Sequence, residues 1–336
     1  MKKYFLMAAL LCLSAVSMTS CGGDDEDTTT NGNSSYTDQN GNGVLVSQAG
    51  PMTFFYDNNN AFDGFMKEGK SYRVANSMMD FSYDIQEDEG VRYIINEFKM
   101  KLNSRGFISQ IDFKVQSKDK DNVELRTNGR MVYGYDNNKQ LTGTSMKAYI
   151  THIAGDGSRV EEGSIDVRHT VHWKNNMLVG FETKTTSSNA ITSFNEEGLW
   201  INTTEQGEET TTGTFNYGNE KNVTKQMPLG LCDIALDGNG LAMFCIPGLY
   251  GTGTTDLPTG ATVTSRKFVN GQGSTEEEVY TFDFSINHDG TISAEKVNGE
   301  SIITYSYTNT RATAEQICHL VKGLQSKLLR KGHTPE

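Results

Sequence analysis

Histidines and carboxylates are the side chains of this 336-residue chain that could bind a metal or perform acid–base catalysis. His169 and His172, in RHTVHW, form the most metal-like pair, but three residues apart on a strand they point to opposite faces and cannot reach one ion. The acidic runs at 87–89, 205–209 and 276–278 lack the alternating oxygen ligands and turn glycine of a calcium loop. We therefore expect no metal site and no cofactor, and enzymatic activity stays open without being favoured.

Cys21 has the most specific chemistry, because of the segment that precedes it. Lys2 and Lys3 are followed by an apolar stretch over 4–16, which is shorter than the about 20 residues of a membrane-spanning helix and typical of a secretory signal. Ending in Met-Thr-Ser-Cys, the segment resembles the relaxed signal of Bacteroidetes lipoproteins, whose cysteine is acylated and becomes the new N-terminus. We predict a lipoprotein signal peptide over 1–20 and a lipid on Cys21. An ordinary signal with an incidental cysteine is the less favoured alternative.

Four acidic residues, at 24–27, follow Cys21 directly. Anionic head groups repel acids, so attraction to the bilayer does not explain them. The run resembles the signal that sends Bacteroidetes lipoproteins to the outer face of the outer membrane, and a solvated tether is a compatible alternative. Asp27-Thr28-Thr29 resembles an O-glycosylation site of these bacteria, with Thr28 as the acceptor. We expect a lipid-anchored protein of the outer membrane that is exposed at the cell surface and meets the membrane through its anchor.

Two further cysteines lie symmetrically about a turn signal. In CDIALDGNGLAMFC, Cys232 and Cys245 flank Gly238-Asn239, and a symmetric hairpin turn would place them on opposed strand positions. A cross-strand disulfide would then fit. Two buried free thiols are an equally favoured alternative.

Trp200 is a candidate platform for stacking a sugar. It lies between Leu199 and Ile201, so on a strand it points away from these apolar neighbours. An exposed indole on a sheet can stack on a ligand. Packing in the core or in an interface is the alternative, and it is the favoured one.

The overall charge excludes nucleic acid as a partner. The formal net charge is −12, and it is more negative still once Lys2 and Lys3 leave with the signal. Phosphates require a basic surface.

Residues 21–47 are rich in Thr, Asn, Gly and Ser and too poor in apolar groups to fold, which predicts a disordered tether before one domain over 48–310.

A short motif recurs along this domain: an apolar residue, a polar cluster rich in Asn, Asp, Gly, Glu and Lys, and a second apolar residue five or six positions on. Asn, Asp and Gly tolerate the positive φ of tight turns, so each copy predicts a hairpin tip. The eight copies are YDNNNAF (56–62), LNSRGFI (102–108), YDNNKQL (135–141), WKNNML (173–178), FNEEGL (194–199), YGNEKNV (217–223), LDGNGL (236–241) and INHDGTI (286–292).

The segments between these tips alternate apolar and polar residues, as half-buried strands do. Ile111, Phe113 and Val115 form one apolar face, and Met131 with Tyr133 forms another. Their spacing indicates about 12 to 16 strands, more than an open twisted sheet usually carries. We predict an all-β antiparallel meander that curls into a barrel-like or strongly curved sheet.

The C-terminal segment over 311–332 has a different period. Its apolar residues recur every three or four positions, and Thr313 with Gln316 can form a capping box. We predict an amphipathic helix that covers an apolar end or face of the sheet.

One longer stretch suggests a family. FCIPGLYGTGTTDLPTGATVTSRKF (244–268), followed by YTFDFSINHDGTISAEKV (280–297), resembles a family of Bacteroidetes lipoproteins of unknown function with a porin-like fold. The resemblance covers about 52–307 and is most specific at the Gly-Leu-Tyr-Gly turn. It implies a meandering β-barrel or curved sheet, and it supplies no catalytic residues. The polar strand faces and the lipid anchor depart from an integral outer-membrane barrel.

These observations favour a lipid-anchored binding or accessory protein whose ligand is a glycan or an apolar molecule, because concave sheets offer cavities. The second hypothesis is a structural or adhesive envelope protein that has a protein partner and no small ligand.

Overall fold

The structure is a computed structural model that describes residues 36–37, 43–57, 60–88, 91–119, 122–156, 159–194, 200–236, 241–269 and 272–308. Nearly all of these residues lie in antiparallel strands, which confirms the predicted all-β meander. The strands are β1 (Tyr36–Thr37), β2 (Gly43–Ala49), β3 (Met52–Tyr56), β4 (Phe62–Lys67), β5 (Lys70–Arg73), β6 (Met78–Asp88), β7 (Val91–Leu102), β8 (Ile108–Asp119), β9 (Glu124–Tyr135), β10 (Leu141–Ile153), β11 (Arg159–Lys174), β12 (Met177–Phe194), β13 (Trp200–Lys221), β14 (Asp256–Val269), β15 (Gln272–Ile286), β16 (Ile292–Val297) and β17 (Glu300–Thr308).

The strands follow one another around a nearly closed barrel. Each of β2 to β17 lies beside the next in the chain, and β17 returns to pair with β2, so sixteen strands form the ring. The short β1 adds to β2. Closure of the ring satisfies strand edges that an open sheet would leave exposed.

The ring is weakly paired between β5 and β6, a gap that we call the seam. Within the described residues a single bridge connects these strands, between Ala75, which follows β5, and Met78, which begins β6. The strands on either side are joined to β5 and β6 by continuous ladders. The Tyr72 hydroxyl spans the seam and donates a hydrogen bond to the Ser82 carbonyl. A side chain therefore satisfies a backbone group that the missing ladder would have bonded.

Six of the eight predicted hairpin tips connect paired strands, and in these six the prediction is confirmed. Positive φ angles occur at Asn60 (60°), Lys139 (66°), Asn175 (53°) and Asn176 (60°), within three of the tips. Asparagine bears this conformation well because its short side chain can bond the local backbone.

Side chains alternate between the interior and the outer face. On β9, Leu125, Met131 and Tyr133 are buried, while Arg126 and Arg130 are exposed. The outer face of β6 to β12 carries ion pairs with nitrogen–oxygen distances of 2.6–3.8 Å: Asp80–Lys99, Asp112–Arg130, Glu124–Arg126, Lys147–Asp166 and Glu182–Lys184. This outer wall has the chemistry of a hydrated surface.

Residues 222–255, between β13 and β14, form a segment that we call the plug. It contains helix α1 (Leu229–Ala235) and a 3-10 helix (Ala242–Cys245). Leu231, Phe244 and Tyr250 are almost fully buried and belong to the same core cluster as the inward side chains of the strands. In the described part of the chain, neither helix is long and apolar enough to cross a membrane.

The plug corrects two of the predicted tips. YGNEKNV, at 217–223, leads from β13 into the plug, and LDGNGL, at 236–241, lies between α1 and the 3-10 helix. Neither joins paired strands, so the hairpin predicted around Cys232 and Cys245 is wrong. Asn, Asp and Gly are common both in hairpin turns and at helix ends, so this composition alone does not separate the two settings.

Candidate functional site

Several predicted site residues lie outside the described part of the chain. Cys21 and Thr28 belong to the region before residue 36, and the helix predicted over 311–332 follows residue 308. Trp200 begins β13 and its backbone pairs with Phe194, but its side chain is outside the description. Lipidation, glycosylation and ligand stacking at these positions stay predictions.

Cys232 and Cys245 come together inside the plug, on α1 and on the 3-10 helix. Both are buried and free, and their thiols share a hydrogen bond. Burial is the main cause that raises the pKa of each thiol, so both are protonated at neutral pH. The structure brings the pair together without the predicted hairpin, and a disulfide between them stays a prediction.

Glu295, on β16, holds the start of α1 in place. Its carboxylate accepts hydrogen bonds from the backbone N–H of Leu229 at 2.9 Å and of Gly230 at 2.7 Å, and from the Tyr305 hydroxyl at 2.8 Å. Burial raises the pKa of Glu295 to about 7, against the lowering effect of these three hydrogen bonds. A carboxyl group in the core thus satisfies helix donors that would otherwise be orphaned.

The other end of the plug is bonded to the opposite wall. The backbone N–H of Ile108 donates to the Leu249 carbonyl at 2.9 Å, and the Tyr135 hydroxyl reaches the same carbonyl at 3.2 Å. The rings of Tyr133 and Tyr250 stack with centroids 5.5 Å apart. Bonds to β8, β9 and β16 fix the plug inside the barrel.

An open recess lies at the seam, against the plug. Its lining combines an apolar wall with charged residues of the turn between β4 and β5: Phe65, Lys67, Glu68, Lys70, Tyr72, Phe81, Ser82 and Met243. Met243 belongs to the 3-10 helix, so the plug contributes to the recess.

An aromatic cluster holds the wall of the recess in shape. Phe65 lies 4.9 Å from Tyr72, 5.7 Å from Phe81 and 5.7 Å from Phe244, measured between ring centroids. Phe81 also stacks on Phe98 at 4.8 Å. Phe65, Phe81 and Phe244 are buried, while Tyr72 and Met243 are half-buried and offer the apolar surface that a ligand can reach.

The rim of the recess carries an excess of positive charge. The Lys67 ammonium lies 3.8 Å from the Glu68 carboxylate, and the exposed Lys70 adds a second cation. This arrangement can hold an anionic group above an apolar face. Sequence reasoning missed the recess because its residues come from three strands, a turn and the plug, and no local motif links them.

His169 and His172 occupy opposite sides of β11, as their spacing predicts. His169 is buried and its Nδ1 lies 2.8 Å from the Thr183 hydroxyl, whereas His172 is exposed. Burial lowers the pKa of His169 to about 4, so the ring is neutral. This histidine is a core residue of the wall.

The fold and this geometry define a plugged β-barrel with an aromatic recess in its wall. No protein-family model matches the chain, and no curated protein matches it. Among solved structures it is similar to a porin-like protein from Bacteroides vulgatus ATCC 8482, with 12% identity and a TM-score of 0.38, over 79% of this chain and 98% of that one. A porin-like protein from Bacteroides uniformis ATCC 8492 has 13% identity and a TM-score of 0.25, over 69% and 96%.

Proposed function

We propose that this chain is a lipid-anchored binding protein of the bacterial outer membrane, exposed at the cell surface, that captures a small molecule with an apolar face and an anionic group. The observation that carries the proposal is the recess beside the plug. The described residues of the plug pack into the core of the barrel, and the recess lies where the plug meets the wall.

The chemistry of the recess sets the class of ligand. Tyr72 and Met243 offer an apolar surface, and Lys67 with Lys70 offers cations at the rim. Aromatic surfaces bind aliphatic chains and the apolar faces of sugars. A fatty acid and an acidic oligosaccharide share this pairing of an apolar face with a carboxylate.

The outer wall supports a tethered barrel. A charged residue on the lipid face of a membrane barrel costs about 2–4 kcal/mol at the bilayer midplane. The five ion pairs on the outer face of β6 to β12 would incur this cost several times over. A lipid on Cys21 would hold the protein at the membrane without that penalty.

The experiment is a calorimetric titration of the full chain with four probes: dodecanoate, dodecanol, an oligosaccharide that contains uronic acid, and its neutral counterpart. We expect one of the two anionic probes to bind, and its uncharged counterpart to bind more weakly. Lys70→Ala should lower the affinity for the anionic probe about three- to fivefold, which is the effect of removing one exposed charge. Lys296→Ala, which removes an exposed lysine from β16, is the matched control and should have no effect.

The probe that binds identifies the source of the anionic group, lipid or sugar. Binding that is equal for charged and neutral probes, or that falls equally in both lysine variants, would contradict the role of the rim. Failure of all four probes would overturn the proposed ligand class and leave the structural or adhesive envelope protein as the better hypothesis.

A further inference from the structure

The N-terminal part of β15, residues 272–280, has a free edge. Residues 272–281 pair with β14, but only residues 282–286 pair with β16. Among the strands that the structure describes, none pairs with the other side of residues 272–280. At about 3.3 Å per residue, this edge is roughly 30 Å long.

The backbone groups on this edge can be assigned from the point where the edge ends. Thr281 accepts a hydrogen bond from the Asn298 N–H at 2.9 Å, and its own N–H donates to the Asn298 side chain at 2.9 Å, so both backbone groups of Thr281 face β16. Backbone groups alternate between the two sides of a strand. The N–H and C=O groups of residues 273, 275, 277 and 279 therefore face the free side.

The edge is straight and accessible. The pairing of β15 with β14 has no register shift, and residues 272–279 are all exposed, so both faces meet water. Phe268 of β14 is 54% exposed and its ring covers Gly273, where an added Cβ would lie 2.8 Å from the Phe268 Cε1. This aromatic cover supports the strand where a glycine would weaken it.

Charge decides what can pair with the edge. Glu276 and Glu278 share one face of β15, and Glu277 lies on the other beside Val279, which is 65% exposed. A second copy of this chain would bring acids against acids, and like charges on opposed strands destabilise pairing. The acids thus protect the edge from self-association and favour a basic strand.

We propose that the free edge of β15 binds an extended polypeptide segment with basic residues two positions apart, which adds to the sheet as a further strand. Its backbone would bond to residues 273, 275, 277 and 279, and its basic side chains would lie beside Glu276 and Glu278. The recess plays no part in this binding, so this inference stands apart from the proposed ligand.

The test uses a synthetic nine-residue peptide in which Lys alternates with Val, and a second peptide with Glu in place of Lys. Binding to the full chain is measured by fluorescence anisotropy, and amide exchange reports which N–H groups become protected. We expect the lysine peptide alone to bind, with protection at residues 273, 275, 277 and 279, and binding to weaken with added salt.

Two variants of one residue separate backbone pairing from charge. Glu277→Pro removes an N–H that faces the free side and leaves the ladder to β14 intact, while Glu277→Ala removes the same charge and keeps the N–H. We expect the proline variant to bind the lysine peptide about tenfold more weakly than the alanine variant. Equal thermal unfolding temperatures of the two variants show that both are folded.

Three results would overturn the inference: equal affinity of the two variants for the peptide, protection elsewhere than on β15, or equal binding of the glutamate peptide. A dimer in light scattering that Glu277→Pro dissolves would also overturn it, because the occupant would then be a second copy. Lys70→Ala should leave peptide binding unchanged, so failure of the recess proposal and failure of this one are distinguishable.

Discussion

At the scale of single residues, Glu295 shows how a buried carboxyl group can link fold and pH. Its three hydrogen-bond donors come from two parts of the molecule, the start of α1 and Tyr305 of β17. Burial still raises its pKa from the ordinary value of 4.5 to about 7. Between about pH 4.5 and 7, Glu295 therefore keeps its proton in the native state, whereas in the unfolded chain it has already released it.

The raised pKa of Glu295 makes the stability of the protein depend on pH. Stability from Glu295 is fully present below pH 4.5 and is lost as the pH rises through 7, so the free energy of unfolding should fall by about 3 kcal/mol over that range. Glu295→Gln should abolish this part of the pH dependence. It should also lower stability by about 1–3 kcal/mol, because one backbone donor loses its acceptor.

Urea unfolding between pH 4.5 and 8 measures both effects. Glu300→Gln, at an exposed carboxyl group on β17, is the matched control and should keep the pH dependence of the native chain. A Glu295→Gln variant whose stability varies with pH as the native chain does would show that Glu295 is not the linked group.

At the scale of elements, local composition predicted the strands well and their connections less well. Tips such as YDNNKQL join neighbouring strands because a turn between two alternating segments leaves few other choices. LDGNGL has the same composition, yet it lies between two short helices, because the residues on either side of it form helices that pack into the barrel core. The recess depends on the seam between β5 and β6, and nothing in the sequence marks where a ladder is interrupted.

The plug's path through the core depends on a close backbone approach at Gly253. A Cβ at this position would lie 2.4 Å from the backbone of Gln226 and Met227, too near for any side chain. Gly253→Ala should therefore displace the plug and lower the free energy of unfolding by about 1–3 kcal/mol. Chemical denaturation measures the loss, and near-ultraviolet circular dichroism reports the packing of Tyr250.

Gly134→Ala is the matched control for this change. The added Cβ would lie 3.1 Å from the Thr142 hydroxyl, on the exposed side of β9. The free energy of unfolding should therefore fall by no more than about 0.5 kcal/mol. Equal stabilities of the two alanine variants would mean that the plug shifts without cost, and that it is not held as tightly as its hydrogen bonds indicate.

At the scale of the whole molecule, the barrel reverses the pattern of a lipid-embedded one. Apolar side chains fill its interior around the plug, and ion pairs line its outer wall. Sequence alternation could indicate two-faced strands, but the side that faces inward depends on closure of the ring between β17 and β2, a contact between distant parts of the chain. In the function proposed above, a lipid on Cys21 would hold such a barrel at the membrane.

Without its N-terminal cysteine the barrel has no lipid anchor, and its own affinity for the membrane can be measured. In a variant with residues 1–21 replaced by a cleavable secretory signal peptide that leaves no cysteine, the protein should fractionate with the aqueous phase, because its charged outer wall disfavours lipid. The native chain, fractionated in parallel, should stay with the outer membrane until detergent is added, and mass spectrometry should find a lipid on Cys21. A variant that still sediments with membranes and resists extraction at high pH would show that the barrel itself enters the bilayer, and it would overturn the tethered arrangement.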